Sequence, residues 1–583
     1  MKKIKSSTLR KVFQYAKPYT TKMVAVVISL LILSVFAAIR PYMVKNIVDW
    51  YIEAKDSNGL LQYSVLMAIV LLIEVISQFS FTYTSNWLGQ NIIKDIRQKL
   101  FNKMLHFKQS FFDHEPVGKL ITRNVSDIEN IASIFSQGLF MIVGDVLKML
   151  VVLGIMLWMN WKLTLIVVLA MPILLYATRI FQKHMKTAFE EVRFQVSNLN
   201  TFVQERLTGM KIVQLFVQEE NDFKKFKEIN QKHNDAWQKN ILYNSIFFPI
   251  ADIVSSVTLG CVIIYGGFSI VNGDNLTSTG DLFAYTMMIS MLFNPLRQIA
   301  DKFNVMQMGI VAADRVFEIM DQDHLIQEEG KLIAPAFNGA IDFEDIHFSY
   351  IEGTEILKGI DLNIEAGQTV AIVGSSGAGK STIINLLSRF YEINSGKIYI
   401  DGTDIHSYTL ESLRKQIAVV LQEVFLFSDT IYQNIALHDP EITLEKVKEA
   451  AQKIGIHTFI ESLPGSYHYN VKERGIMLSA GQRQLIAFLR AYMSNPSILI
   501  LDEATSSIDT YSEELLQKAV QIVTKDRTSI VIAHRLATIV NADVIVVMDQ
   551  GKIVEKGRHN QLLQIDNGYY KQLYDSQYAS AKD

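Results

Sequence analysis

The sequence is almost without cysteine: Cys261 is the only one in 583 residues. Neither an intrachain disulfide nor a thiolate-built zinc cluster is possible. Cys261 falls in an apolar run and is expected to be buried packing. A dominant charge is missing too, the formal net charge being -3, so the overall balance gives no case for nucleic acid as a partner. The N-terminal region lacks a small-residue cleavage site, because Arg40, Pro41 and Tyr42 end the first apolar stretch, and a cleavable signal peptide is therefore not expected. It also lacks the Arg/Ser-rich character of a mitochondrial presequence. The length, in turn, exceeds what one hydrophobic core accommodates, so two or more domains are expected.

Long apolar runs, by contrast, are abundant. Six lie at about residues 24–45, 60–84, 135–157, 161–181, 243–272 and 281–305, each long enough for a hydrocarbon core of about 30 Å. Lys2, Lys3, Lys5, Arg10, Lys11, Lys17 and Lys22 precede the first without an acidic residue, which puts the N-terminus in the cytoplasm. The loop 46–59, with Asp49, Glu53 and Asp56, then falls outside, and everything after about residue 305 is cytosolic. Two cytoplasmic connections, 86–132 and 182–242, keep a helical texture with few breakers, as helices continuing out of the bilayer would. The outer turn MNWK at 159–162 is tight.

Charged residues interrupt these spans. Glu74 sits midway in the second, where a substrate cavity and an interhelical polar contact are both open readings. Asp145 and Lys148 share one face of the third, so a local ion pair is expected. Asp252 lies nearer the end of the fifth.

After a polar connector at 321–335 come strand-like runs: AIDFEDIHFSY, TVAIV, KIYI, IAVVLQ, SILILDE, SIVIAH and DVIVVMD. They alternate with helical segments, as in an α/β phosphate-binding domain. The expected architecture is a membrane all-α domain at 1–320, a linker at 321–338 and a cytosolic α/β ATPase domain at 339–583. Between the strand TVAIV and the helix TIINLLSRF runs a glycine-rich loop of Gly374, Ser375, Ser376, Gly377, Ala378, Gly379, Lys380, Ser381 and Thr382. Its small residues let backbone N–H groups curl around phosphates, Lys380 neutralises them, and Ser381 holds Mg²⁺. The helix N-terminus adds a favourable dipole. In ILILDEATSS, Asp502 at the strand tip suits the Mg²⁺ shell and Glu503 suits a water-polarising base. His534 follows another apolar strand, where a γ-phosphate contact and a structural histidine are both open.

Together with LSAGQRQ at 478–484, these residues resemble a half-transporter of the ATP-binding cassette superfamily, in the exporter class that fuses six spans to one nucleotide-binding domain. The resemblance covers residues 10 to 575 and implies roles for further positions. Tyr350 would stack on adenine, and Gln422 would sense γ-phosphate and Mg²⁺. Ser479, Ala480, Gly481 and Gln482 would cap the ATP of an opposite subunit, Asp509 would link the two sites, and His534 would be the switch histidine. Phe111–Ile128 and Leu207–Glu219 resemble the regions that couple spans to cassettes. Two departures stand out. Ala480 replaces the usual second glycine of the signature, and YNVKERG (469–475) replaces Thr-Glu-Val-Gly-Glu-Arg-Gly. An intact Glu503 beside an altered signature resembles the catalytic subunit of a heterodimeric bacterial exporter, although a homodimer remains open. ATP and Mg²⁺ are the implied cofactors, and a second half-transporter, membrane lipid and a hydrophobic small-molecule or lipid substrate are the implied partners. The expected location is the bacterial plasma membrane. Drug efflux, a lipid or glycolipid flippase, and an ATP-gated channel are the functions carried forward. A processing protease domain is not expected ahead of the spans.

Overall fold

The computed structural model describes residues 6–273, 277–326, 330–502, 510–532 and 539–577. Glu503, Asp509 and His534 lie outside the described residues, as do 327–329 of the connector and the tail beyond 577. The chain divides into two compact units: residues up to His106 with Glu115–Asp323, and Phe107–His114 with the chain from His324 on.

The first unit is helical. Its long helices are α1 (Thr20–Asn46), α2 (Ser57–Leu105), α3 (Phe140–Met159), α4 (Trp161–Thr208), α5 (Glu219–Val271) and α6 (Thr279–Asp321). Three of them begin at a side-chain cap. Asp56 accepts from the Gly59 N–H ahead of α2 at 3.0 Å. Asn160 accepts from the N–H groups of Lys162 and Leu163 at the tight outer turn. Ser278 and Asp281 exchange reciprocal bonds at the start of α6, satisfying donors that a helix start leaves without partners. Among the described residues, five helical runs are long and apolar enough to cross a membrane: Ser7–Ile52, Ser57–Leu105, Val117–Met159, Trp161–Thr208 and Glu219–Val271. The sixth apolar stretch of the sequence lies in α6, which carries Arg297, Asp301 and Lys302.

Three expectations are corrected here. The first span does not end at Arg40-Pro41-Tyr42: α1 passes through Pro41 and continues as a π-helical turn to Ile52, as membrane helices tolerate when neighbours absorb the lost bond. Asp145 pairs with Lys302 of α6 rather than with Lys148 of its own helix, because the facing helix presents an ammonium closer than the local turn does. Cys261 is exposed on α5, since an apolar side chain on a membrane helix needs no protein neighbour to leave water. Glu74 meets Arg40 of α1 at 3.7 Å, and Asp252 accepts from Arg297 at 2.5 Å. Tyr285 is fully buried, and its hydroxyl reaches the Met156 carbonyl at 2.7 Å inside a cluster with Leu163, Val167 and Phe293.

The second unit contains two sheets. β1 (Ile341–Phe348), β2 (Leu357–Ile364), β4 (Ser395–Ile400) and β5 (Thr403–Asp404) form an antiparallel sheet in the order β2-β1-β4-β5. The other sheet runs β10-β9-β3-β8-β7-β6. It comprises β3 (Thr369–Gly374), β6 (Ile417–Val420), β7 (Ile498–Asp502), β8 (Thr528–Ile532), β9 (Val544–Asp549) and β10 (Lys552–Gly557). All neighbours in it are parallel except β10 with β9. β3, β7 and β8 are buried almost end to end, and this is why they read as continuous apolar runs. Parallel register brings Gly374, Asp502 and Ile532 to one carboxyl edge, where open α/β sheets bind ligands. Phe107–His114 packs within this unit: Lys108 N–H donates to the His324 carbonyl at 2.8 Å, and Asp113 accepts from the Tyr391 hydroxyl.

Candidate functional site

At that carboxyl edge the chain turns from β3 into α7 (Lys380–Leu387). Gly374 has φ 151°, and a Cβ there would lie 2.1 Å from the Met548 carbonyl oxygen. Gly379, at φ 98°, would meet Leu357 at 2.6 Å. Both positions therefore require glycine. The resulting loop leaves a cavity of about 580 Å³, lined by Gly374 to Thr382 throughout and by Tyr350, Gln422 and Asp502. Sequence reasoning grouped these residues, and the structure brings them to one space.

Lys380 is buried in the loop and donates to the carbonyls of Gly374 and Ser375 at 2.8 and 2.9 Å. Burial lowers its pKa, while the Asp502 carboxylate pulls it back up. A desolvated ammonium held at the floor of a cradle of backbone N–H groups fits a polyphosphate. Tyr350 is fixed by donating to Thr382 Oγ1 at 3.3 Å and accepting from Asn385 at 3.0 Å. Its ring stands edge-on to Tyr391, 4.9 Å between centroids, and part of it stays open at the cavity wall. Mg²⁺ takes few protein oxygens and keeps phosphate oxygens and waters for the rest. Ser381, Gln422 and Asp502 around one cavity are such a sparse oxygen set, and they fit the ion.

The signature residues lie elsewhere in this unit. Ser479 caps α8 (Ala480–Met493), accepting from the Gln482 N–H at 3.3 Å while the Gln482 side chain accepts from the Ser479 N–H at 2.9 Å. Ser479 and Ala480 are exposed, Gly481 is buried, and none of the four lines the phosphate cavity.

One wall of that cavity was not foreseen. The tail QLYDSQYASAKD, from Gln572, reads as a solvated end, yet its Leu573 and Tyr574, with Tyr570 of the same C-terminal helix, Tyr569–Gln577, line the cavity beside Ile356, Ile532 and Ile539. Tyr570 is buried, and its hydroxyl is 2.6 Å from His559 Nδ1. The available signal was the aromatic spacing in GYYKQLY, which places Tyr570 and Tyr574 four apart on one helix face.

Comparison with known proteins agrees with this geometry. Residues 23–296 match the ABC transporter transmembrane region, and residues 357–506 match the ABC transporter domain. The chain is 34% identical to an uncharacterized ABC transporter ATP-binding protein, YknV of Bacillus subtilis, over 98% of this chain and 94% of that one. It is 35% identical to an ATP-dependent lipid A-core flippase of Desulfotalea psychrophila, over 98% and 99%. YgaD of Bacillus subtilis, named as a candidate multidrug export ATP-binding/permease protein, is 34% identical over 98% and 99%. The chain belongs to the ABC transporter family. Within it, this is the type that fuses a membrane domain to an ATPase domain, related to multidrug and lipid exporters. It is an ATPase and a multi-pass plasma-membrane protein whose ATPase domain is cytoplasmic.

Proposed function

We propose that this chain is one half of a dimeric bacterial exporter that uses ATP binding and hydrolysis to move hydrophobic or amphipathic compounds outward. Its membrane domain would span 1–320 with α6 as a sixth crossing, its linker 321–338, and its cassette 339–583. The observation that supports this best is the separation, inside one chain, of the Lys380 cradle from Ser479–Gln482. A second cassette is needed to bring a signature onto the bound nucleotide.

In this reading, backbone N–H groups of 374–382 and Lys380 hold the phosphates, and Tyr350 stacks on the base. Glu503 takes a proton from the attacking water, while His534 and Gln422 contact the γ-phosphate side. Ser381, Asp502 and Gln422 would hold Mg²⁺, which would supply positive charge beside the phosphate oxygens. Asp509 links the two sites. ATP favours the closed cassette pair only through its greater affinity for that state. Because Ala480 adds a methyl group where a phosphate approaches, the partner is a different chain with an unaltered signature and without the catalytic glutamate. A flippase reading for lipids draws support from the lipid A-core flippases among the relatives.

Native mass spectrometry of the particle, tagged in its own host, tests the assembly. A second chain lacking a carboxylate at the position of Glu503 is expected beside this 66.2 kDa chain. A particle of two identical chains overturns the asymmetric reading.

A further inference from the structure

The C-terminal helix Tyr569–Gln577 is tied down through both its backbone and its side chains. Glu555 of β10 accepts from the Tyr569 N–H at 2.6 Å and from the Tyr570 N–H at 3.0 Å. A carboxylate there satisfies donors that a helix start leaves open and complements the helix dipole. The Tyr570 hydroxyl bonds His559 at 2.6 Å, and the His559 ring also lies 5.6 Å from the ring of Tyr574. Tyr570 belongs to the buried apolar cluster that contains Ile539 and Leu562, and Leu573 packs against that cluster. A helix of nine residues is marginal in water by itself, and these attachments hold it in place.

Tyr570, Leu573 and Tyr574 share the wall of the nucleotide cavity with Ile532 and Ile539. Ile532 ends β8, is 1% exposed, and is the register partner of Asp502. Asp502 ends β7, so the two strand tips are joined backbone to backbone at the edge of the site. We propose that Leu573 and Tyr574, held by the Glu555 and His559 attachments, are positioning residues for the metal side of this site. They brace the tip of β8, and through Ile532 they fix the direction of the Asp502 carboxylate. This rests on the proposed Mg²⁺ role of Asp502. Groups that orient a metal ligand from outside are worth about 10–100-fold in metal affinity or activity. The tyrosine wall acts one residue further out, so its removal should cost less, about 5-fold.

The test uses the full transporter, with Mn²⁺ in place of Mg²⁺ and adenylyl imidodiphosphate as a nucleotide that is not hydrolysed. Bound Mn²⁺ is read from the loss of the free-ion electron paramagnetic resonance signal. Tyr574→Ala should weaken Mn²⁺ binding about 5-fold and leave metal-free nucleotide binding unchanged, because the Lys380 cradle is untouched. Tyr574→Phe keeps the ring in the wall and should bind Mn²⁺ as the wild type does. Wild-type Mn²⁺ affinity in Tyr574→Ala overturns the proposal. So does an equal loss of metal-free nucleotide binding, which would mark a general loosening of the cassette. If Tyr574→Ala does not fold, Leu573→Ala carries the same expectation. Asp502→Asn serves as the reference. If it binds Mn²⁺ as the wild type does, the metal role of Asp502 fails and the brace with it. If Asp502→Asn is impaired and Tyr574→Ala is not, the brace alone is refuted.

Discussion

Lys472 has φ 60° and ψ -172°, a region populated essentially by glycine alone. It is exposed, seven residues before the signature serine, at the position where the resembling run carries glycine. Strain of this kind costs about 1–3 kcal/mol. Lys472→Gly should therefore raise the stability of the cassette by about 1 kcal/mol after the entropy of an added glycine is subtracted. Thermal unfolding of the purified transporter reads this directly; an unchanged or lower midpoint would show the backbone to be relaxed. Lys380 is the opposite case, a buried ammonium that the proposed function assigns to the nucleotide phosphates. Lys380→Ala should lower ATP turnover by about 100-fold or more, since an electrostatic contact to the transferring phosphate is worth about 3 kcal/mol. The check is steady-state ATPase activity beside binding of a fluorescent nucleotide.

At the scale of elements, the link after α7 meets the β4–β5 hairpin through His406. Its Nε2 lies 2.8 Å from Glu392 and its Nδ1 3.0 Å from Asp404. The hydrogen bond with Glu392, then that with Asp404, raises the His406 pKa against the opposing effect of burial, while Glu392 is lowered chiefly by the same bond. A histidine raised on folding stabilises fully below its unfolded value, about 6.5, and that stability is lost as pH rises through the folded value. The melting difference between wild type and His406→Gln should thus be largest near pH 6 and shrink toward pH 8 and above, with about 6.5 as the start of the fall. A difference independent of pH would refute the charge pairing. Near the outer end of the membrane unit, Asp49 accepts from the Ser278 hydroxyl at 2.6 Å and the Gly280 N–H at 2.7 Å, beside a Lys45–Asp281 pair at 2.8 Å. Asp49→Ala removes a cap from α6 and should cost about 1–2 kcal/mol, read as a lower melting midpoint; no change would show that the Ser278–Asp281 box caps α6 alone.

The same scale explains what the sequence disclosed. ILILD and TVAIV were legible because a strand covered on both faces needs an unbroken apolar run. KIVEKG was not: β10 is a half-exposed edge in which Lys552, Glu555 and Lys556 give it the polarity of a loop. β2, in LKGIDLNI, hid for a similar reason, with solvent on every other residue of its second half. The Asp145–Lys302 pair joins residues 157 apart, and spacing on one helix could only suggest the nearer Lys148. The cradle was readable residue by residue because its geometry is local, running from one strand tip to the next helix. Its tyrosine wall comes from a separate helix, Tyr569–Gln577, where the spacing in GYYKQLY marks a shared face but not what that face packs against.

For the whole molecule, the decisive position is Ala480. In the asymmetric reading, this chain's signature serves the nucleotide held by its partner, a site without a catalytic glutamate. The productive site uses Lys380 and Glu503 with the partner's signature. Restoring glycine by Ala480→Gly therefore acts where turnover is already negligible, and the rate of the complex should change by less than about 2-fold, under 0.5 kcal/mol in barrier. In a homodimer the same methyl group would sit over both productive nucleotides. Removing it would strengthen a contact made to the transferring phosphate, where a single donor is worth about 100-fold, so even partial relief should raise turnover several-fold. Steady-state ATPase rates of the two forms, at saturating nucleotide, distinguish the cases. A several-fold rise would make the two cassettes equivalent and Ala480 a brake on both. A flat result, with Glu503→Gln abolishing turnover in the same preparation, would leave one hydrolytic site per particle and a signature in this chain that serves chiefly to hold ATP.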